Sequence, residues 1–118
     1  MLSVLGDLKS ACKQAEARSV GNKKGGCALS SRDGKIYTGF FCRIDENFSI
    51  EPVDMALSLG LGDGCNRFTA AYLSGEAFNL PSLKRLSKFG DLLINYEKDD
   101  QSFTSTLKNL ILLTGEKE

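Results

Sequence analysis

The 118-residue chain contains no histidine. That removes the commonest general base, a frequent zinc ligand and the histidine-dependent nucleophile systems together. Its four cysteines are Cys12, Cys27, Cys42 and Cys65, and no two form a C-x-x-C pair, so a zinc knuckle is not expected. They read as small buried hydrophobes in a reducing compartment. Asp54 offers a carboxylate for proton transfer, although an acidic residue in a first helical turn also complements the helix dipole. Arg43 ends a β-rich run, where its planar fork suits a phosphate or carboxylate. Solvent, Asp45 or Glu46 would satisfy it without a ligand. Gly60-Leu61-Gly62-Asp63-Gly64 is glycine-rich, but it follows a helix and precedes a strand, the wrong context for a phosphate loop. Asn79 and Ser82 are explained by helix capping. Lys84, Arg85 and Lys88 read as a solvated helix face. No base–nucleophile pair stands out.

The elements that must position these groups are legible in outline. Asp33-Gly34 separates two β-rich runs, 26–31 and 35–42, which predicts a tight hairpin. Centring the turn on those two residues places Cys27 opposite Phe40 and diagonal to Cys42. That is near enough to touch but poorly placed for a disulfide. Before the hairpin, Leu2, Val4, Leu5, Leu8, Ala11, Cys12 and Ala15 form a helical stripe over 1–20, with Ser3 as a cap and Gly21 as a stop. After it, Glu51-Pro52 opens a helix whose buried face is Val53, Ala56, Leu57 and Gly60. A strand over 65–73 follows, then a helix capped by Asn79 with Pro81 in its first turn. A strand over 91–97 has Leu92-Leu93-Ile94 at its heart, apolar enough for burial on both faces. Residues 98–101 form a turn, and Ser105 caps a last helix that Gly115 ends. This alternation favours a mixed sheet covered by helices.

Composition sets the outer bounds. Apolar residues make up 42% and charged residues 25%, ordinary for a globular chain long enough to form a core in one domain, 1–118. Fifteen basic residues balance fifteen acidic ones, so nucleic acid and anionic membranes are not expected partners. No apolar run has membrane-span length and no signal-peptide pattern opens the chain, which makes the cytoplasm the expected compartment.

The hairpin text GCALSSRDGKIYTG resembles the opening hairpin of the cytidine deaminase family, which includes the blasticidin-S deaminases. LPSLKRLSKFGDLLINYEKDD is similar to that family's second zinc helix with the strand and hairpin after it. The specific text lies in 26–39 and 81–95, while the order of elements agrees over nearly the whole chain. The resemblance implies an α/β fold, a cytidine deaminase-like three-layer α-β-α sandwich whose mixed sheet is opened by an Asp-Gly hairpin and flanked by helices. It also implies a zinc site in which a metal-activated water attacks cytosine and a glutamate moves protons. Counted forward from Thr38-Gly39, Pro52 falls on the first ligand and Asp54 on the glutamate. Aligned on 86–89, Asn79 and Ser82 fall on the two cysteine ligands. All three ligand types are therefore replaced, and no metal or other cofactor is expected. Where the family places Asn-x-Glu to hold a ribose, this chain has Phe41 and Arg43. Where the family has a pocket-wall aromatic, it has Lys23 or Lys24.

The leading expectation is a deaminase-like protein without zinc or catalysis, serving as a binding or assembly subunit. Family members of this length are commonly oligomers, so the resemblance implies a homo-oligomer or a hetero-oligomer with a related subunit. A second reading is a binder of a nucleoside-like small molecule in the remnant pocket near Phe41, Arg43, Pro52, Asp54, Asn79 and Ser82. A third is a metal-free enzyme using Asp54 with Ser82 or a cysteine.

Overall fold

The computed structural model describes residues 4–115. Helix α1 (Val4–Glu16) leads into strand β1 (Gly25–Ser31) and its hairpin partner β2 (Ile36–Phe40). A second, smaller hairpin follows, β3 (Cys42–Asp45) and β4 (Phe48–Ile50), then α2 (Pro52–Gly62). The remaining elements are β5 (Phe68–Gly75), α3 (Leu80–Leu86) with one further 3-10 turn, β6 (Leu93–Lys98), β7 (Gln101–Thr106) and α4 (Leu107–Gly115). Five strands make one mixed sheet in the order β2-β1-β5-β6-β7, and only the β5–β6 pair is parallel. No helix among the described residues is long and apolar enough to cross a membrane.

The layering follows from strand alternation. Successive side chains of a strand point to opposite faces, so Cys27 and Leu29 face one way while Ala28 faces the other. Cys27 and Leu29 join Val53, Ala56, Leu57, Leu83, Leu86 and Leu107 in the larger core, under α2, α3 and α4. Ala28 and Tyr72 meet Leu8 and Cys12 of α1 on the opposite face. The result is helices, sheet, helices: the expected three layers. Helix α2 buries Val53, Ala56, Leu57 and Gly60, as its spacing requires.

Several expectations need correction. The first hairpin has a three-residue loop, Arg32-Asp33-Gly34, and not a two-residue one: the Ser31 N–H donates to the Lys35 carbonyl at 2.8 Å. Gly34, at φ +91°, takes the left-handed position that such a loop requires. The register therefore moves by one, pairing Cys27 with Gly39 and Gly26 with Phe40. Cys42 lies beyond β2, on β3, opposite Ile50. All four cysteines are free, but only Cys12 and Cys27 are buried, whereas Cys42 and Cys65 are half-buried.

Helix α1 ends at Glu16, short of the expected Val20. The Val20 N–H donates to the Phe41 carbonyl at 2.8 Å, and the Arg43 N–H donates to the Val20 carbonyl at 2.9 Å, which draws this segment into a bridge to β3. Leu2 and Ser3, and the side chains of Val4, Leu5 and Leu113, lie outside the described residues. Strand β6 is buried on one face only. Leu93 is 46% exposed: α1 packs chiefly on β1, β2 and β5, and its ion pairs to β6, from Lys9 and Lys13, are made at Glu97 near the other end of that strand. Gln101, expected in the turn, and Ser105, expected as a helix cap, belong instead to the edge strand β7, which pairs with β6 over 101–106. Thr106, one residue after the expected Ser105, caps α4 by accepting from the Asn109 N–H at 3.2 Å.

One close approach fixes where α2 starts. A side chain on Gly39 of β2 would collide with the Pro52 carbonyl oxygen and would stand 2.7 Å from the Ala56 nitrogen. The first turn of α2 thus rests directly on the backbone of β2. Gly39→Ala is expected to cost about 2 kcal/mol through overpacking, measured by urea or thermal unfolding. Gly62→Ala, where a side chain meets nothing within 4 Å, is the control and should leave stability unchanged or slightly raised. A Gly39→Ala protein as stable as the parent would mean that this contact does not hold α2 in place.

Candidate functional site

Two helix N-termini converge. Helix α2 opens at Pro52, a residue suited to the first helical position, and carries Asp54 in its first turn. Helix α3 is capped by Asn79, whose Oδ1 accepts from the Ser82 N–H at 3.0 Å, and Pro81 sits in its first turn. Where the two helices pack, Ser82 Oγ lies 3.0 Å from Asp54 Oδ2 and 2.9 Å from Asn79 Oδ1. Its single proton serves one of those acceptors at a time. Of the four residues that the resemblance implies for the ligand and glutamate positions, Asp54, Asn79 and Ser82 are thus joined by hydrogen bonds, and Pro52 stands two residues before Asp54 at the start of α2.

The fifth member is one that sequence reasoning assigned to a solvated face. Arg85 reaches across the surface from α3 to α2 and grips Asp54 with a two-pronged fork, Nε to Oδ1 at 3.0 Å and Nη2 to Oδ2 at 2.7 Å. Its Nη2 also lies 3.4 Å from Ser82 Oγ. Ser82 and Arg85 are three apart and so share one face of α3. That spacing was visible in the chain, but the partner carboxylate lies 31 positions away on another helix. The fork is bidentate and charge-assisted. Because Arg85 remains 54% exposed, the ion pair itself is worth no more than about 1 kcal/mol. Ser82, in contrast, is fully buried and depends on its partners for hydrogen bonds.

The other two expected members sit apart. Phe41 is buried, with the Lys23 ammonium 5.8 Å from its ring centroid, a cation–π contact. Lys23, one of the two lysines expected near the family's aromatic wall, thus covers an aromatic side chain. Arg43 is exposed on β3 and forms no ion pair among the described residues, so of the expected alternatives it reaches solvent and does not pair with Asp45 or Glu46. Asp45 Oδ1 accepts the Asn47 N–H at 2.8 Å instead.

What this arrangement can hold follows from its donors. Zinc favours thiolate, imidazole and carboxylate ligands. Pro52 offers no donor atom, and Asn79 and Ser82 offer neutral oxygens already bonded to one another and to Asp54. The carboxylate faces a guanidinium, with Arg85 and Ser82 accounting for both its oxygens. No group of three or more His, Cys, Asp or Glu side chains among the described residues is placed to hold a metal ion. These residues do not fit the zinc centre of the deaminases.

Glu51, just before α2, reports on the charge of the site. Burial raises its carboxyl above the usual value of 4.5; Lys23 opposes that shift, the Asp54 carboxylate adds to it, and Arg85 opposes it. A raised carboxyl favours the protonated form in the folded chain. Its stabilising contribution is therefore complete below the unfolded pKa and is lost as pH rises through the folded one. At pH 7 the ionised Glu51 is a cost. Glu51→Gln should unfold at a higher temperature than the parent at pH 7, and the gap should close as pH falls to 4. A gap that is constant with pH would show that the substitution acts through packing and not through charge.

Comparison with known proteins supplies a fold and little else. No family model matches the chain, and no curated protein sequence does. Solved structures do match. A cytidine deaminase from Burkholderia pseudomallei superposes with a TM-score of 0.81 at 21% identity, over 89% of this chain and 94% of that one. For the cytidine deaminase from Mycobacterium leprae the values are 0.77 and 19%, over 91% and 96%. For that from Bacillus anthracis they are 0.69 and 17%, over 92% and 86%. A five-stranded mixed sheet with helices on both faces, matched over nine-tenths of the chain, makes this a cytidine deaminase-like α/β fold.

Proposed function

We propose that the chain is a non-catalytic member of the cytidine deaminase-like group, one domain over residues 1–118, acting in the cytoplasm as a binding or assembly subunit. The observation that carries this reading is the Arg85 fork on Asp54. A deaminase needs a Lewis acid to lower the pKa of its water and a carboxylate free to take the proton. In this chain the carboxylate is bound to an internal cation and to Ser82, and neutral groups stand at all three ligand positions. An oxygen held by a guanidinium is a poor proton acceptor, because protonation would break a charge-assisted pair.

The assembly half of the reading draws on the surface. Leu59 and Leu61 near the end of α2, and Ile44 and Phe48 on the small hairpin, are large apolar side chains between 41% and 68% exposed. A balanced net charge adds no long-range repulsion between copies. A homo-oligomer, or a complex with a related subunit, would cover such surface.

Native mass spectrometry of the purified chain, followed by a cytidine deamination assay in added zinc, tests both halves. The expected result is a metal-free oligomer with turnover no higher than a protein-free blank. One zinc per subunit, or deamination above the blank, would overturn the non-catalytic reading. A strict monomer across the micromolar range would overturn self-assembly. A second variant pair gauges the fork. Arg85→Met should lower stability by about 1 kcal/mol, and Asp54→Asn by a similar amount. The double variant should cost less than the two losses summed, because the pair is lost once.

A further inference from the structure

Both helices of the site run away from it toward a second feature. Asp54 lies in the first turn of α2, and Asp63 lies just past its last. Asn79 caps α3, and Lys88 to Gly90 follow its far end. At those far ends two concavities adjoin. One, of about 390 Å³, includes Arg32, Lys35, Tyr37, Asp63 and Arg67 in its lining. The other, of about 410 Å³, is lined by Asn66, Arg67, Lys88, Phe89 and Gly90. Arg67 and Asn66 belong to both.

The charges there are not evenly matched. Of the two carboxylates, Asp63 receives the Tyr37 hydroxyl at 2.7 Å and the Lys35 ammonium at 3.3 Å. These hold its carboxyl below the usual range, Tyr37 most strongly, and Asp63 in turn pushes the Tyr37 phenol up to about 12. Asp33 accepts the Ser31 hydroxyl at 2.6 Å. Arg32, Arg67 and Lys88 are exposed and form no ion pair or side-chain hydrogen bond among the described residues. Four cations, Arg32, Lys35, Arg67 and Lys88, against the two carboxylates Asp33 and Asp63 leave this rim net positive on a chain whose charges sum to zero, a positive focus. Two are arginines, whose planar forks match phosphate oxygens. Beside them Phe89 is half-buried, packed against the larger core while also lining the second concavity.

We propose that these joined concavities bind a nucleotide carrying two or more phosphates. Its phosphates lie across Arg32, Arg67 and Lys88, and its base rests on Phe89. More than one phosphate is required because the cations are distributed over both concavities, with Arg67 as the shared contact. The aromatic wall separates a nucleotide from a bare phosphate chain, since any base offers a face for stacking. The site lies at the far ends of α2 and α3 and is independent of the Asp54 network.

Calorimetric titration of the full chain in low salt, with ADP and pyrophosphate as separate probes, tests this. ADP is expected to bind more tightly than pyrophosphate. Arg67→Glu should weaken both by at least about tenfold, the loss of one charge-assisted contact, and Arg32→Glu should do the same. Phe89→Leu should reduce ADP affinity to that of pyrophosphate and leave pyrophosphate unchanged. Thermal unfolding of each variant confirms the fold. The exposed Arg32 and Lys88 variants keep the test valid if Phe89→Leu is destabilised, because Lys88→Glu must also weaken ADP. No binding by the parent chain, ADP binding equal to pyrophosphate binding, or Arg67→Glu binding as tightly as the parent would each overturn the proposal.

Discussion

The first turn of α2 sits on the bare backbone of Gly39, with the Pro52 carbonyl in the space that any side chain would need. That contact joins the edge strand β2 to the helix that supplies Asp54. It is backbone on backbone, so there is no flexible side chain to absorb an error of even an ångström. Gly60 repeats the device near the other end of the helix, where a side chain would stand 2.7 Å from the Phe68 ring. Held at both ends, α2 has one position along the sheet. Because α3 packs against α2, the position of Ser82 and Arg85 relative to Asp54 is fixed as well. The polar network depends on this apolar seating and could not replace it.

Within that frame the positive charge at the site comes from the chain itself. A metal centre there would need anionic or imidazole ligands, and a carboxylate beside it would face a cation. In this chain the residues around Asp54 are proline, asparagine and serine, and the cation beside the carboxylate is the guanidinium of Arg85. A negative group is answered by a positive one between two helix N-termini. An ion pair satisfies Asp54 but cannot polarise water as a metal does. Ser82, fully buried, ties the pair to the Asn79 cap, so the start of α3 and the pairing of Asp54 form one connected unit.

The features read correctly from the chain were those set by local chemistry. Asp33-Gly34 marks a turn, Glu51-Pro52 a helix start, and the spacing of Val53, Ala56, Leu57 and Gly60 a buried face. Each depends on residues within a few positions of one another. The features that escaped depend on what the rest of the fold does. The hairpin register turned on whether Arg32 joins the loop, which the left-handed Gly34 decides. Strands β3 and β4 are short and mostly exposed, and β7 is rich in serine and threonine, so neither shows an apolar alternation. Leu93 reads as core until one knows that α1 packs chiefly on β1, β2 and β5 and is ion-paired to β6 at Glu97, near the other end of that strand.

Arg85 is the instructive case. Along the chain it belongs with Lys84 on α3 and Lys88 in the 3-10 turn that follows, and nothing local distinguishes it. What separates them is the partner each meets: Arg85 points along the face that carries Ser82 toward α2, while Lys84 and Lys88 point to solvent. An arginine can make that reach because its stem packs along the helix while its fork engages both carboxylate oxygens. A lysine in its place would offer a single point charge and could not satisfy Oδ1 and Oδ2 together. The residue that most changes the chemical meaning of the site is therefore legible only once two helices, 31 residues apart in the chain, are brought face to face.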